Sequence, residues 1–193
     1  MKKNKFLYLT ILLFYLSNYF CFSQETKNEL RQQNQHTVFV EIFGNSFYLY
    51  NITYDYTLNL SLKHKMSVGM GFQYMPAGVE DIFYPHTFSF SPQINYLYGR
   101  RSHHLELGLG LIFPSLFYYN VSGFDVDGSF LVPLRIGYRY QRENGGLFWK
   151  IALTPLFGKG EIGILSWKTG IGDIHCRPWI GVSIGYTFKN KRR

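Results

Sequence analysis

From Thr37 to Phe188 the chain alternates large apolar residues with small or polar ones at a period of two, in eight stretches. Period two predicts β-strands, because successive side chains leave opposite faces of the pleat. The first stretch, Thr37 to about Gly44, puts Val38, Val40 and Ile42 on one face and Glu41 on the other, between Phe39 and Phe43. The second, about Phe47 to Tyr56, sets Tyr50, Ile52, Tyr54 and Tyr56 against Asn51, Thr53 and Asp55. The third, about Met66 to Tyr74, is the cleanest, with Met66, Val68, Met70, Phe72 and Tyr74 opposed to Ser67, Gly69, Gly71 and Gln73. Five more follow at about Thr87 to Tyr98, His104 to Phe113, Ser129 to Gln141, Leu147 to Leu156 and Pro178 to Phe188. Pro92 shares the apolar face of the fourth, where it must leave one ladder hydrogen bond unmade. These lengths bracket the roughly 9 to 11 residues with which a tilted strand crosses a bilayer.

A second pattern lies over the first. Ile52-Thr53-Tyr54-Asp55-Tyr56, Ile94-Asn95-Tyr96-Leu97-Tyr98, Ile136-Gly137-Tyr138-Arg139-Tyr140 and Ile184-Gly185-Tyr186-Thr187-Phe188 repeat the form Ile-x-Tyr-x-Tyr/Phe, with spacings of 42, 42 and 48 residues. About 42 residues hold two strands and two connections, so four copies imply eight strands in up-and-down order. The connections after the fourth and sixth strands, around Gly99-Arg100-Arg101-Ser102 and Arg142-Glu143-Asn144-Gly145, are short. Those after the third, fifth and seventh are long, and the one at Asn45 is short. In membrane barrels short turns face the periplasm and long loops face outward. All four repeats then end at the periplasmic interface, where with Trp149 they form an aromatic girdle. Lys63, Lys65, Arg100, Arg101 and Arg142 lie just beyond it, placed to meet phosphate headgroups.

Alternation alone fits a soluble barrel or sandwich as well as a membrane barrel. The polar face separates them. A water-exposed face would be crowded with Lys and Glu, whereas this one is mostly Gly, Ser, Thr, Asn and Gln, which suits a narrow lumen. The fold expected is therefore all-β: an eight-stranded antiparallel up-and-down transmembrane β-barrel over residues 37–188. Its inward charges are Glu41, Asp55, Glu106, Arg135, Arg139 and Lys150. Unpaired buried charge costs several kcal/mol. The six are expected either to pair across the lumen, with Glu106 and Arg139 as one pair, or to be solvated by trapped water. Neither leaves an open pore. If the pairing holds, charge reversal at Glu106 destabilises the barrel and Glu106→Lys with Arg139→Glu recovers part of the loss.

The N-terminus sets the compartment. Lys2, Lys3 and Lys5 precede a mostly apolar run from Phe6 to Leu16, and Cys21-Phe22-Ser23 places small residues where a signal peptidase reads. A signal peptide over 1–23 is expected, then a flexible periplasmic segment over 24–36 and, after the barrel, a basic periplasmic tail over 189–193. The run is shorter than the roughly 20 residues of a spanning helix. Among 193 residues, 19 Gly, 16 Tyr and 18 Phe also favour the all-β class. Removing the signal leaves 17 basic against 12 acidic side chains, a net of +5, with the charges mainly at strand ends. That is no nucleic-acid footprint. Cys176 alone remains after cleavage, so the mature chain can form no internal disulfide.

On these features the chain resembles the small eight-stranded outer-membrane β-barrel proteins of Gram-negative bacteria, among them many uncharacterised members. Tyr186-Thr187-Phe188 is similar to the terminal signal by which the outer-membrane assembly machinery recognises its clients, although Lys189-Asn190-Lys191-Arg192-Arg193 follows where many members stop. The resemblance implies an integral outer-membrane protein in contact with lipids and lipopolysaccharide, porin-like in wall but not in lumen. It implies a short list of activities: structural barrel, adhesin or surface binder, narrow small-solute channel, or lipid-modifying enzyme of the acyltransferase or deacylase kind. An enzyme needs a nucleophile and base within hydrogen-bond reach near the outer leaflet. His86 is the one histidine placed for it, and Ser89 points inward by parity. His103 and His104 face opposite ways, and His175-Cys176 has no second ligand pair, so neither predicts a metal. Glu80, Asp81, Asp125, Asp127, Glu161 and Asp173 in the outer loops could meet calcium or bridged lipopolysaccharide, but Asp125-Val126-Asp127-Gly128 lacks the later ligands of an EF-hand. The loop aromatics Phe117, Tyr118, Tyr119, Phe124 and Trp167 are expected to pack together or touch the interface. No catalytic, cofactor or metal residue is assigned, and the reading is a monomeric, non-enzymatic barrel with a structural or surface-interaction role.

Overall fold

A computed structural model of the chain describes residues 34–45, 50–75, 87–114, 130–159 and 166–188. Among them lie twelve strands: β1 (Gln35–Phe43), β2 (Tyr50–Asn59), β3 (His64–Met75), β4 (Thr87–Arg100), β5 (His103–Gly110), β6 (Phe113–Pro114), β7 (Val132–Gln141), β8 (Gly146–Leu153), β9 (Leu156–Lys159), β10 (Trp167–Lys168), β11 (Ile174–Arg177) and β12 (Ile180–Phe188). Eight of them form the wall: β1, β2, β3, β4, β5, β7, β8 and β12, each antiparallel to the next. The last returns to the first, with Val38 opposite Tyr186 and Val40 opposite Ile184. The sheet therefore closes into an eight-stranded antiparallel up-and-down barrel with no free edge in its wall.

The short strands are continuations. Gln93 stands opposite Gly110 and Ser89 opposite Pro114, so β6 resumes β5 in the same register against β4. Pro92 causes the gap. The Leu111 N–H donates to the Pro92 carbonyl at 2.9 Å, and proline has no N–H to return. β8 and β9 are likewise one line interrupted at Pro155, whose carbonyl accepts from the Leu134 N–H at 3.0 Å. Pro178 and Trp179 separate β11 from β12, which keep a common register against β9 and β8. The stretches expected to run unbroken to Phe113 and to Leu156 are thus divided opposite Pro92 and at Pro155, while the one expected from Pro178 starts at Ile180 and runs unbroken to Phe188. Beyond the breaks, β9, β10 and β11 form a small antiparallel extension at the long-loop end.

Burial follows the alternation and is inverted relative to a water-soluble barrel. Ile184 is 60% exposed while its neighbour Ser183 is 1% exposed. Val40, Ile52, Met70, Phe90, Leu107, Ile136 and Ile151 are all exposed, and Thr37, Asn51, Ser67, Gln93, Asn95 and Thr187 are buried. Apolar side chains on the outside and polar ones within suit hydrocarbon around the wall, where backbone groups must be satisfied inside the protein. One closed ring also leaves no second sheet for these apolar residues to pack against, so they are not the core of a sandwich.

Glycines let the strands approach across this narrow ring. A Cβ on Gly137 would stand 2.4 Å from the Ala152 Cβ, and one on Gly185 2.4 Å from the Phe39 Cβ. Gly137→Val is therefore expected to destabilise the barrel by about 1–3 kcal/mol, the usual range for overpacking. Urea unfolding of detergent-folded protein measures it, and an unchanged midpoint would mean that the wall yields.

Candidate functional site

The interior is built in layers by the inward-facing residues of all eight strands. At the short-turn end, Gln35 on β1 donates to the carbonyls of Arg142 and Glu143 at 2.7 and 3.0 Å, tying the ring to the turn after β7. Thr37 and Thr187 bond at 3.0 Å across the closing seam, and Gln141 donates to Thr37 at 2.9 Å. Above them Phe39 and Phe148 stack with centroids 4.9 Å apart. The Arg139 guanidinium lies 4.9 Å from the Phe148 ring centre and the Lys150 ammonium 4.5 Å from that of Phe39. Both rings thus offer π-faces to desolvated cations, where such contacts are strongest.

The charges expected to face inward do so, and none of the six is more than 4% exposed. Arg135 binds both oxygens of Glu41, at 2.8 and 3.1 Å, and reaches Glu106 at 3.3 Å. Arg139 binds Asp55 at 2.6 Å, and Lys150 lies 3.4 Å from Glu106 and 4.0 Å from Glu41. The expected pair of Glu106 and Arg139 exists, at 3.5 Å. It is one link of a network in which Glu106 meets three cations and Arg139 holds Asp55 more closely. That changes the expected charge swap. An acid at position 139 would face Asp55, so Glu106→Lys with Arg139→Glu is not expected to recover the loss.

Neutral groups complete the layers. Arg135 donates to Gln93 at 2.6 Å, and Gln93 accepts from Asn45 at 2.5 Å. Asn51 donates to Ser91 at 2.7 Å. At the long-loop end Ile112, Leu131 and Leu156 are fully buried and cover the polar layers with an apolar cap. Ile112 and Leu131 are joined there by an isolated bridge. Ser89 faces inward, as parity requires, and donates to Gln73 at 3.2 Å.

Lys65 corrects the sequence reading. It was expected beyond the girdle among the headgroup-facing cations, but it points into the lumen and is 2% exposed. β3 starts at His64, ahead of the expected Met66, and the added turn of alternation gives Lys65 the inward parity of Ser67 and Gly69. Lys63, Arg100, Arg101 and Arg142 are exposed as expected. His104 is also inward and 1% exposed, while His103 faces out.

The girdle holds a device that the sequence reading missed. His36 Nδ1 bonds the Tyr54 hydroxyl at 2.6 Å, His64 Nδ1 that of Tyr96, and His103 Nδ1 that of Tyr138. Each histidine also touches the second tyrosine of the same repeat: Tyr56, Tyr98 or Tyr140. The signal was a histidine at the start of the strand preceding each of the first three repeats. β8, which precedes the fourth repeat, carries no histidine; its Trp149 stands opposite Ile184 and packs on Tyr138 and Tyr140 of the third repeat.

His86, Glu80, Asp81, Asp125, Asp127, Glu161, Phe117, Tyr118, Tyr119 and Phe124 lie outside the described residues, as do the signal peptide and the basic tail. Trp167 is exposed, and Asp173 pairs with Lys168 at 3.3 Å on the surface. Cys176 is buried, which pushes its thiol above the ordinary value and makes the thiolate needed for metal binding less accessible. Among the described residues no three His, Cys, Asp or Glu side chains gather to hold a metal ion.

No family model and no curated protein matches the chain. Among solved structures it is similar to the crystal structure of the outer membrane enzyme PagL, with a TM-score of 0.38 and 18% identity over 81% of this chain and 99% of that one. At that score the likeness carries nothing about activity.

The arrangement is suited to filling and bracing the barrel. Breaking a buried charge pair by removing one partner costs about 3–5 kcal/mol, because the other charge stays behind without compensation. Asp55→Asn and Arg139→Gln are each expected to destabilise the barrel. The double variant should lose less than the sum, with a coupling of about 0.5–3 kcal/mol. Chemical denaturation of the four proteins measures it, and strictly additive losses would contradict the pairing.

Proposed function

We propose that the protein is an integral outer-membrane barrel with a structural or surface-interaction role, its lumen plugged and no reaction performed within it. The observation that carries this reading is the lumen itself: six charged side chains, none more than 4% exposed, held in one network beneath a fully buried apolar cap. A conducting barrel needs a continuous wet path. Here the narrow interior of eight strands is occupied by the chain's own side chains.

In this reading the short turns face the periplasm and the long loops face outward. The wall meets outer-membrane lipids and lipopolysaccharide, and the segments after β6 and β9 carry any recognition of a surface partner. Assembly is by the outer-membrane machinery through Tyr186-Thr187-Phe188, and the barrel acts as a monomer. It belongs with the small barrels that the sequence resembles. Support for the location comes from the exposed apolar wall and from the signal-like N-terminal sequence.

Folded protein in planar bilayers is expected to give no single-channel steps, and incubation with lipid A or phospholipid is expected to release no fatty acid. Steady conductance from protein verified as folded would contradict the plug. Acyl release that disappears on His86→Ala would contradict the non-enzymatic role.

A further inference from the structure

The lipid-facing wall is not uniform. Tyr54, Met70, Pro92, Leu111 and Val132 fall on one row across β2, β3, β4, the break after β5, and β7. Tyr54 stands opposite Met70 and Met70 opposite Pro92, and the Leu111 N–H binds the Pro92 carbonyl. A second outward row starts at Tyr56 beside Val68. Between the two rows runs an apolar groove of about 660 Å³, floored by the strand backbone at Gly69, Gln93 and Gly110, whose side-chain positions face the lumen. The compact Pro92 ring lies midway along it, between longer neighbours. Five strands at a spacing of about 4.8 Å give the groove a length of about 19 Å. One leaflet of a bilayer is about 15 Å of hydrocarbon, so the groove accepts a whole acyl chain.

The ends of the groove differ. At β2 its walls are Tyr54 and Tyr56, the two rings that His36 contacts, and His36 bonds the Tyr54 hydroxyl at 2.6 Å. Exposed Lys63, in the turn between β2 and β3, adds positive charge at the same rim. The opposite end, at Leu111 and Val132, is apolar. A molecule with a long hydrocarbon chain and an anionic phosphate at the short-turn rim matches both features. With Nδ1 engaged by Tyr54, the Nε2 of His36 is the ring nitrogen left for a phosphate oxygen.

We infer that this groove is a binding site for a phospholipid of the leaflet at the short-turn end: one acyl chain lies between the rows on β2 to β7, and the headgroup phosphate sits at His36 and Lys63. The site goes beyond the structural role proposed above and rests on it only in requiring that the wall face lipid. It also gives two of the barrel's features a common use, since Pro92 opens the groove and the first histidine-tyrosine pair closes its polar end.

The test is photolabelling of the full mature barrel in nanodiscs of phosphatidylethanolamine and phosphatidylglycerol carrying a diazirine midway along one acyl chain, mapped by mass spectrometry. Only protein that shows a heat-dependent gel shift is used. Labelling of Met70, Ile94, Leu109 and Leu111 is expected to exceed that of Ile151, Val182 and Ile184 on the opposite wall severalfold. Pro92→Phe, which fills the groove, should bring the two walls level, while Val182→Phe should leave the contrast intact. His36→Ala should lower groove labelling, and no change there would overturn the headgroup assignment. Even labelling around the wild-type barrel would overturn the site and leave the membrane reading standing. Labelling nowhere on the wall would overturn both.

Discussion

In hydrocarbon there is no water to satisfy a backbone N–H or C=O, so a sheet that crosses a membrane must close on itself. The pairing of β1 with β12, from His36 opposite Phe188 to Phe43 opposite Gly181, meets that demand. Most of the other features follow from it. Closure with eight strands fixes an interior wide enough for side chains and little else. Glycine at 137 and 185 answers the close approach of neighbouring strands, and Ser, Thr, Asn and Gln line much of the remainder.

The same constraint explains why charge can be buried in so small a protein. The low dielectric of the lumen makes an unpaired ion costly and a well-placed partner strong. Glu106 meets three cations, Glu41 two and Asp55 one, while Phe39 and Phe148 offer their faces to Lys150 and Arg139. Partners come from strands far apart in sequence, such as Glu41 and Arg135, so the network ties distant parts of the ring together. The wall carries the complementary arrangement of aliphatic mid-sections, a tyrosine and histidine rim, and cations beyond the rim.

Much of this was legible in the sequence because a strand repeats every two residues and a hairpin repeats at a regular longer interval. Ile184 outward and Ser183 inward could be assigned by parity alone, as could all six lumen charges. Parity depends on where a strand begins, however. The apolar alternation of β3 begins at Met66 and so leaves Lys65 outside the strand, whereas pairing of Lys65 with Leu97 and of His64 with Tyr98 extends β3 back. Nor does parity give partners across a lumen. Asp55 as the closest partner of Arg139 follows from ring size and strand stagger, which local pattern does not contain. The groove on the outer wall depends on side-chain volumes in neighbouring rows, so only the assembled barrel makes Pro92 its midpoint.

Closure with a lipid-facing wall is tested most directly by gel mobility of detergent-folded protein spanning Gln24 to Arg193, with and without boiling. A closed barrel resists the detergent until heated, so two bands that differ in mobility and merge on boiling are expected. A single band, from protein that stays soluble without detergent and remains rich in strand, would contradict it. The apolar faces would then meet one another, and the plugged lumen and the lipid groove would fall together.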